Sequence, residues 1–287
     1  MKYAFVDKHR EEFGVAPILR ALDVSRSGFY AWRERMDVDS GPSAQAVLDR
    51  EVRAVFEAHF GRYGAIRVTV ELRHKGFHYD RKTVAKSLRR QGLRARAARK
   101  FIATTNSDHG LKVAPNLLEQ DFSASAPNLK FVQDITYLPT DEGWLYLAVV
   151  VDLYSRQVVG WAMDKHMKAG LVCDALKMAL WRRGMPRGVI VHSDRGSQYC
   201  SNAYQEIVNK NGLLCSMSKR GDCYDNACAE TFFHTLKVEL THGVRYETRS
   251  HMRQEVFQFI ETYYNTIRRH STLGYVSPAE FEMLNVA

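Results

Sequence analysis

No run of this 287-residue chain is apolar over the length a membrane-spanning helix needs, about 20 residues. The opening stretch, MKYAFVDKHREEFG, is charged where a secretion signal would carry its apolar core. Both absences argue against a membrane and predict a cytoplasmic protein. Cysteine is sparse and unpatterned: Cys173, Cys200, Cys215, Cys223 and Cys228 are odd in number and contain no C-x-x-C pair. His74-x3-His78 has helical spacing but no cysteine pair beside it, so a zinc module is not indicated and the thiols read as structural or free. Heptads are not sustained, which excludes a long coiled coil, and there are no internal repeats or low-complexity tracts.

What is present begins with charge. The chain carries 41 Lys and Arg against 32 Asp and Glu, a net charge of +9. Between Arg81 and Lys100 there are nine basic residues and no acid, a local excess as large as that of the whole chain. A polyanion is the partner such a segment suits, and neutralising phosphates would make binding fall steeply with salt. With 45% hydrophobic residues there is material for a sizeable core and for two or three domains.

The first 40 residues read as helix, tight turn and second helix, with the turn near Asp23-Val24. Arg26 and Arg33 could face DNA there, or Phe29, Tyr30 and Trp32 could make it a packing module. Asp39-Ser40-Gly41-Pro42-Ser43 suits a hinge. Helical segments come next over 44–60, from Gly64 to about His74, and from Arg81 to Gln91. The last is a recognition-helix candidate whose Arg81, Lys82, Lys86, Arg89 and Arg90 would meet phosphate. Residues 104–128 are polar and read as a linker, anchored at Asn116-Leu117-Leu118.

Beyond residue 129 the pattern changes. Phe131–Leu138 is strand-like and carries Asp134 at its middle, an expensive place for a carboxylate without a partner. Two long apolar runs around Asp152-Leu153-Tyr154-Ser155-Arg156 complete a three-strand antiparallel meander, succeeded by helix, strand, helix, strand and helix. Val189-Ile190-Val191 is β-branched and ends at Asp194, before the turn Arg195-Gly196-Ser197. Asp225 or Asn226 opens a helix that buries Ala229, Phe232, Phe233, Leu236 and Leu240. Its polar stripe holds Asn226, Glu230, His234, Lys237 and Thr241, so Glu230 and Lys237 point the same way two turns apart. Three acids on a central strand, a neighbouring strand end and a later helix could converge at one sheet edge. Two divalent ions would relieve their repulsion.

Other residues have plainer readings beside functional ones. Asp152 before Ser155-Arg156 suits a turn or ion pair, and His192 suits a hydrogen-bonded core histidine or a site-shaping residue. Asn226 is either a helix cap or a contact to the site or DNA. Gln198 and Tyr199 could line a groove. The final long helix, about 249–269, should bury Met252, Val256, Phe259, Ile260, Tyr263 and Ile267, with Arg268, Arg269 and His270 either capping it or touching DNA.

Four segments together, QDITYLPTDEGWLYLAVVVDLYSR, VIVHSDRGSQYCS, GDCYDNACAETFFHTLKVE and YNTIRRHSTLGYVSP, resemble the catalytic region of IS3-family insertion-sequence transposases, relatives of retroviral integrases. The resemblance implies an α/β, RNase H-like core with a mixed five-stranded sheet over 129–287, behind an all-α region. The latter would comprise a helix-turn-helix-like unit at 1–40 and a basic helix-turn-helix domain at 41–103. It implies that Asp134, Asp194 and Glu230 form a DDE triad holding two Mg²⁺ ions, with Mn²⁺ as a substitute, and that Lys237 contacts DNA near the reacting end. Cleavage at element ends would free a 3′-OH that attacks a target duplex, without a covalent protein–DNA intermediate. Integrases carry a zinc-binding His/Cys domain ahead of the core, which is missing here. The implied partners are double-stranded DNA, further copies in an oligomer on DNA, and an upstream-frame product supplying a leucine zipper, acting in the bacterial cytoplasm at the nucleoid. An RNase H-like nuclease without strand transfer would need the same acids; an inactive DNA-binding regulator would not.

Overall fold

The computed structural model describes residues 1–37, 42–96, 113–219 and 226–285. Residues 39–41 of the expected hinge, Arg99 and Lys100, residues 104–112 of the linker, Cys223 and Asp225 lie outside them. The chain divides into two compact units, residues 1–94 and 95–287.

The first unit is helical. Helices α1 (Lys2–Phe13), α2 (Val15–Ala21) and α3 (Arg26–Asp37) close around Val6, Ile18, Leu19 and Phe29. The tight turn before α3 contains Asp23 at φ 50°. Trp32 packs against this cluster, but Tyr30 is exposed, with the Arg26 guanidinium 5.7 Å from its ring centroid. Arg33 turns inward to Asp7 at 3.8 Å. Helices α4 (Ala44–Ala58), α5 (Ala65–His74) and α6 (Arg81–Arg90) form a second bundle, each burying an i, i+4 apolar stripe such as Val68/Leu72 and Val84/Leu88. Asp80 caps α6, accepting from the backbone N–H of Lys82 at 2.7 Å and of Thr83 at 3.0 Å. Asp49 on α4 takes the Ser87 hydroxyl and the Arg90 fork, tying α6 to α4.

The second unit is built on one sheet. Strands β1 (Lys130–Thr140), β2 (Gly143–Asp152) and β3 (Val158–Asp164) form the antiparallel meander; β4 (Ile190–Ser193) and β5 (Leu214–Met217) add in parallel on the other side of β1. The order is β3-β2-β1-β4-β5, the mixed five-stranded sheet expected of an RNase H-like core. Helices α7 (Ala169–Arg182), α8 (Ser197–Cys200) and α9 (Asn202–Lys210) share a core with Phe131, Ala148, Val150 and Val159. Gly160 lets α7 come close, since a Cβ there would collide with the Ala175 carbonyl and Ala179. Helices α10 (Ala227–Leu236) and α11 (Arg249–Gln258) pack on β1 and β2, and α12 (Pro278–Asn285) ends the described chain. The expected linker anchor is half right: Leu118 is buried, whereas Leu117 is exposed but donates its N–H to Ser216 Oγ at 2.8 Å.

Two helices widen into π turns, Lys237–Thr241 after α10 and Phe259–Tyr264 after α11. A π turn adds a residue to the repeat and rotates the residues C-terminal to it about the helix axis. The burial phase after Tyr263 therefore shifts. Ile267, expected in the core, is 49% exposed, and Tyr264 and Arg268 are buried in its stead. Arg268 neither caps a helix nor faces DNA, because its guanidinium grips Glu239. Arg269 donates to the Tyr275 carbonyl at 3.0 Å, and His270 is buried in a bridge to Val276.

Candidate active site and basic helix

The site begins where the sheet runs out of partners. β4 pairs with β1 only over Lys130–Val132 and stops at Ser193, so among the described residues β1 from Gln133 onward has no strand on that side. The Leu129 carbonyl accepts from Ile190 N–H, and alternate carbonyls along a strand face the same edge. The Gln133 carbonyl thus points where β4 has already ended. Asn226 fills the gap, donating from Nδ2 to Gln133 O at 3.1 Å. Asn226 stands at the cap position of α10 but makes no side-chain cap; it fastens the start of that helix to the open edge of β1. Its Oδ1 is buried without a hydrogen-bond partner among the described residues.

Asp134 is next on β1, half-buried, opposite Val149 of β2. Its Oδ1 accepts from the Ile135 N–H at 2.8 Å. Burial pushes its carboxyl well above the usual range; the Asp194 and Glu230 carboxylates push it further, while that N–H and the Lys237 ammonium pull it back. Asp194 is the first residue past β4, and its Oδ1 takes the Gly196 N–H at 2.9 Å to form the turn. Beneath it His192 is fully buried between the Ser216 and Ser218 hydroxyls, at 2.8 and 3.2 Å, as a core histidine would be. Arg195 Nε donates to the Ser218 carbonyl at 2.7 Å. Glu230, in the first turn of α10, is exposed yet also raised by desolvation. Lys237 opens the π turn; burial lowers its pKa against the raising influence of Tyr137 and Asp134, and its Nζ lies 5.0 Å from the Tyr137 ring centroid.

Asp134 therefore feels the charges of Asp194, Glu230 and Lys237 together. Among the described residues, however, no three His, Cys, Asp or Glu side chains stand close enough together to hold a metal ion. Asp152 lies elsewhere: fully buried, it accepts from Asn128 and Tyr154 N–H at 2.9 and 3.0 Å, with Arg183 at 3.6 Å, the turn and ion-pair role expected. Tyr199 lines no groove; it is 1% exposed in the α7–α9 core. Gln198 donates to the Met167 carbonyl at 3.2 Å.

On α6, Arg81, Lys82, Lys86 and Arg89 are exposed. Arg90 is engaged by Asp49 and holds the bundle together. Farther along the basic run, Arg96 donates to the Glu239 carbonyl at 2.9 Å, so part of that run serves packing. Sequence reasoning missed the exposed pair Tyr137 and Trp144, whose only signal is aromatics where strand alternation runs out at a hairpin tip. It also missed Glu239 as the buried partner of Arg268.

An integrase core joined to an HTH-like helical domain is the class these features define. Family models agree: "Integrase core domain" matches residues 124–223, a second model of that description matches 230–285, and "HTH-like domain" matches 42–101. The transposase InsF for insertion sequence IS3A of Escherichia coli (strain K12) is 54% identical over 288 residues, covering all of both chains. The transposase for insertion sequence element IS904 of Lactococcus lactis is 44% identical, covering 85% of this chain and 98% of its own. The chain belongs to the IS3 family of insertion-sequence transposases. Among solved structures, the HTLV-2 integrase catalytic core domain in complex with magnesium is 16% identical with a TM-score of 0.44, covering 55% of this chain and 99% of its own. A simian T-cell lymphotropic virus intasome is 14% identical with a TM-score of 0.47, covering 80% and 73%.

Proposed function

We propose that this chain cuts DNA at the ends of an insertion sequence and transfers the freed 3′-OH to a target duplex, with Asp134, Asp194 and Glu230 as its catalytic carboxylates. The observation that carries this reading is Asp134, a carboxyl at the open edge of β1 raised chiefly by burial and further by Asp194 and Glu230, two acids from distant parts of the chain. Acids that repel one another at an open sheet edge cost stability and need a counter-charge. Their hard oxygen donors suit Mg²⁺, with Mn²⁺ as substitute, once the three side chains draw inward. When bound, a pair of such ions supplies positive charge at the attacking and leaving oxygens of an in-line phosphodiester displacement.

The chain's own groups do the rest. Asp134 and Asp194 are held by backbone N–H groups, so their carboxylates are oriented beforehand. Asn226 fixes α10 to β1 and with it the bearing of Glu230. Lys237 binds a DNA phosphate beside the carboxylates. Arg81, Lys82, Lys86 and Arg89 of α6 bind duplex phosphates. No side chain forms a covalent bond to DNA. We further propose a four-part division into 1–40, 41–103, 104–128 and 129–287, action as an oligomer on DNA beside an upstream-frame partner, and a cytoplasmic, nucleoid-associated location. The test supplies a pre-cut element end with Mg²⁺. Joining to a target duplex by the wild type, and none by Asp134→Asn, supports strand transfer. Cleavage of intact ends without joining of pre-cut ones reduces the protein to a nuclease.

A further inference from the structure

Trp144 sits at the tip of the β1–β2 hairpin, opposite Pro139 in the register, and is 49% exposed. The hairpin itself is tightly held. Arg249 donates to the Trp144 carbonyl at 3.1 Å and to the Glu142 carbonyl at 2.5 Å, and Asp141 N–H bonds the Tyr246 carbonyl at 2.9 Å. A large indole left half-exposed on a pinned scaffold forgoes part of the burial an apolar side chain gains in a core. Its ring meets that of Tyr137, with centroids 4.9 Å apart and planes at 77°. Tyr137 also lies under the Lys237 ammonium, 5.0 Å from the ring centroid. One tyrosine therefore contacts both an exposed indole and a cation that acts on Asp134.

We infer that Trp144, braced by Tyr137, is a stacking seat for one unpaired nucleobase of the DNA strand whose phosphate Lys237 binds. This rests on the reading of the site as one that acts on DNA ends. The chemistry favours a base over other occupants: a π-face beside a cation and a carboxylate cluster suits a nucleotide, with stacking for the base and charge for the phosphate. Stacking is indifferent to base identity but requires the base to leave its pair. Trp144 would thus hold an end open rather than read its sequence.

The test uses the full chain and end duplexes with 2-aminopurine at each of the last few positions, without metal so that DNA stays uncut. Fluorescence should be quenched at one near-terminal position by wild type and by Asp134→Asn, retained largely by Trp144→Phe and lost in Trp144→Ala. With Mg²⁺, Trp144→Ala should join fully paired ends about tenfold more slowly. It should recover to within about threefold of wild type on ends whose terminal pairs are mismatched, because the unpairing cost has been removed. Merely structural damage would not be repaired by changing the DNA. Quenching that persists in Trp144→Ala, or a joining defect equal on paired and mismatched ends, overturns the proposal. If wild type joins no end at all while the quenching pattern holds, the strand-transfer reading fails and the stacking seat stands.

Discussion

The carboxylate of Glu239 and the guanidinium of Arg268, each 5% exposed, meet in a two-pronged ion pair with contacts of 2.7 and 3.0 Å. Glu239 lies within the π turn that begins at Lys237, and Arg268 lies beyond the π turn that ends at Tyr264. The pair joins the two helices that pack beside the open edge of β1 and on β2. A buried charge left alone is costly, so Glu239→Gln or Arg268→Met should destabilise the second unit by about 3–5 kcal/mol, read by urea unfolding. Arg268→Lys keeps the charge but loses the fork and should fall between. A loss below about 1 kcal/mol in either single variant would show that the pair does not hold the helices.

Asp134 offers a test that does not need catalysis. Its folded-state pKa is raised, so the native state binds the proton more tightly than the unfolded chain does. Stability is then lost as pH climbs from the ordinary 3.8 through the raised value, and stays low above it. Without metal at pH 7, Asp134→Asn should melt higher than wild type, by about 2–4 °C for each kcal/mol relieved. Added Mg²⁺ should raise the Tm of wild type and not of the variant. Equal melting with and without metal in both would remove the case for the acids as a cation site.

Asn226 spans the edge left by β4. Asn226→Ala removes its bond to the Gln133 carbonyl and should cost about 1–3 kcal/mol of stability. If its work is to aim Glu230, cleavage should slow about tenfold or more at unchanged DNA affinity. A weaker DNA complex with normal single-turnover rate would instead make it a DNA contact.

The cations of α6 divide into two kinds. Arg89→Ala or Lys86→Ala should lower the slope of log K against log salt by about 0.9 each while leaving melting unchanged. Arg90→Ala should chiefly lower melting of the helical unit. The Arg90 hydrogen bond, with Ser87 adding to it, holds the Asp49 carboxyl below its ordinary 3.8. Its contribution is therefore present above pH 3.8 and lost as pH falls through the depressed value. The gap between wild type and Arg90→Ala should close in acid. A salt slope changed by Arg90→Ala as much as by Arg89→Ala would put Arg90 on the DNA.

Periodicity alone locates most of the elements. The apolar i, i+4 stripes of α4 to α6 and the β-branched runs around Asp134 and before Asp194 are local patterns, and the order of the motifs makes the family legible without coordinates. Asp152 and His192 are legible too, since a turn acid and a buried histidine announce themselves by immediate neighbours. What the chain order cannot decide depends on contacts between distant segments. No local signal tells that α10 and α11 slip into π turns, because a π turn is stabilised by what the helix packs on. An unbroken helical period therefore puts Ile267 in the core and Arg268 at the surface, the reverse of their places in the fold. The fates of Arg90, Asn226 and Tyr199 are likewise set by partners 41, 93 or more positions away or by burial under neighbouring helices. Sequence determined which side chains could do the chemistry; only the closing of the sheet edge decided which of them share a field.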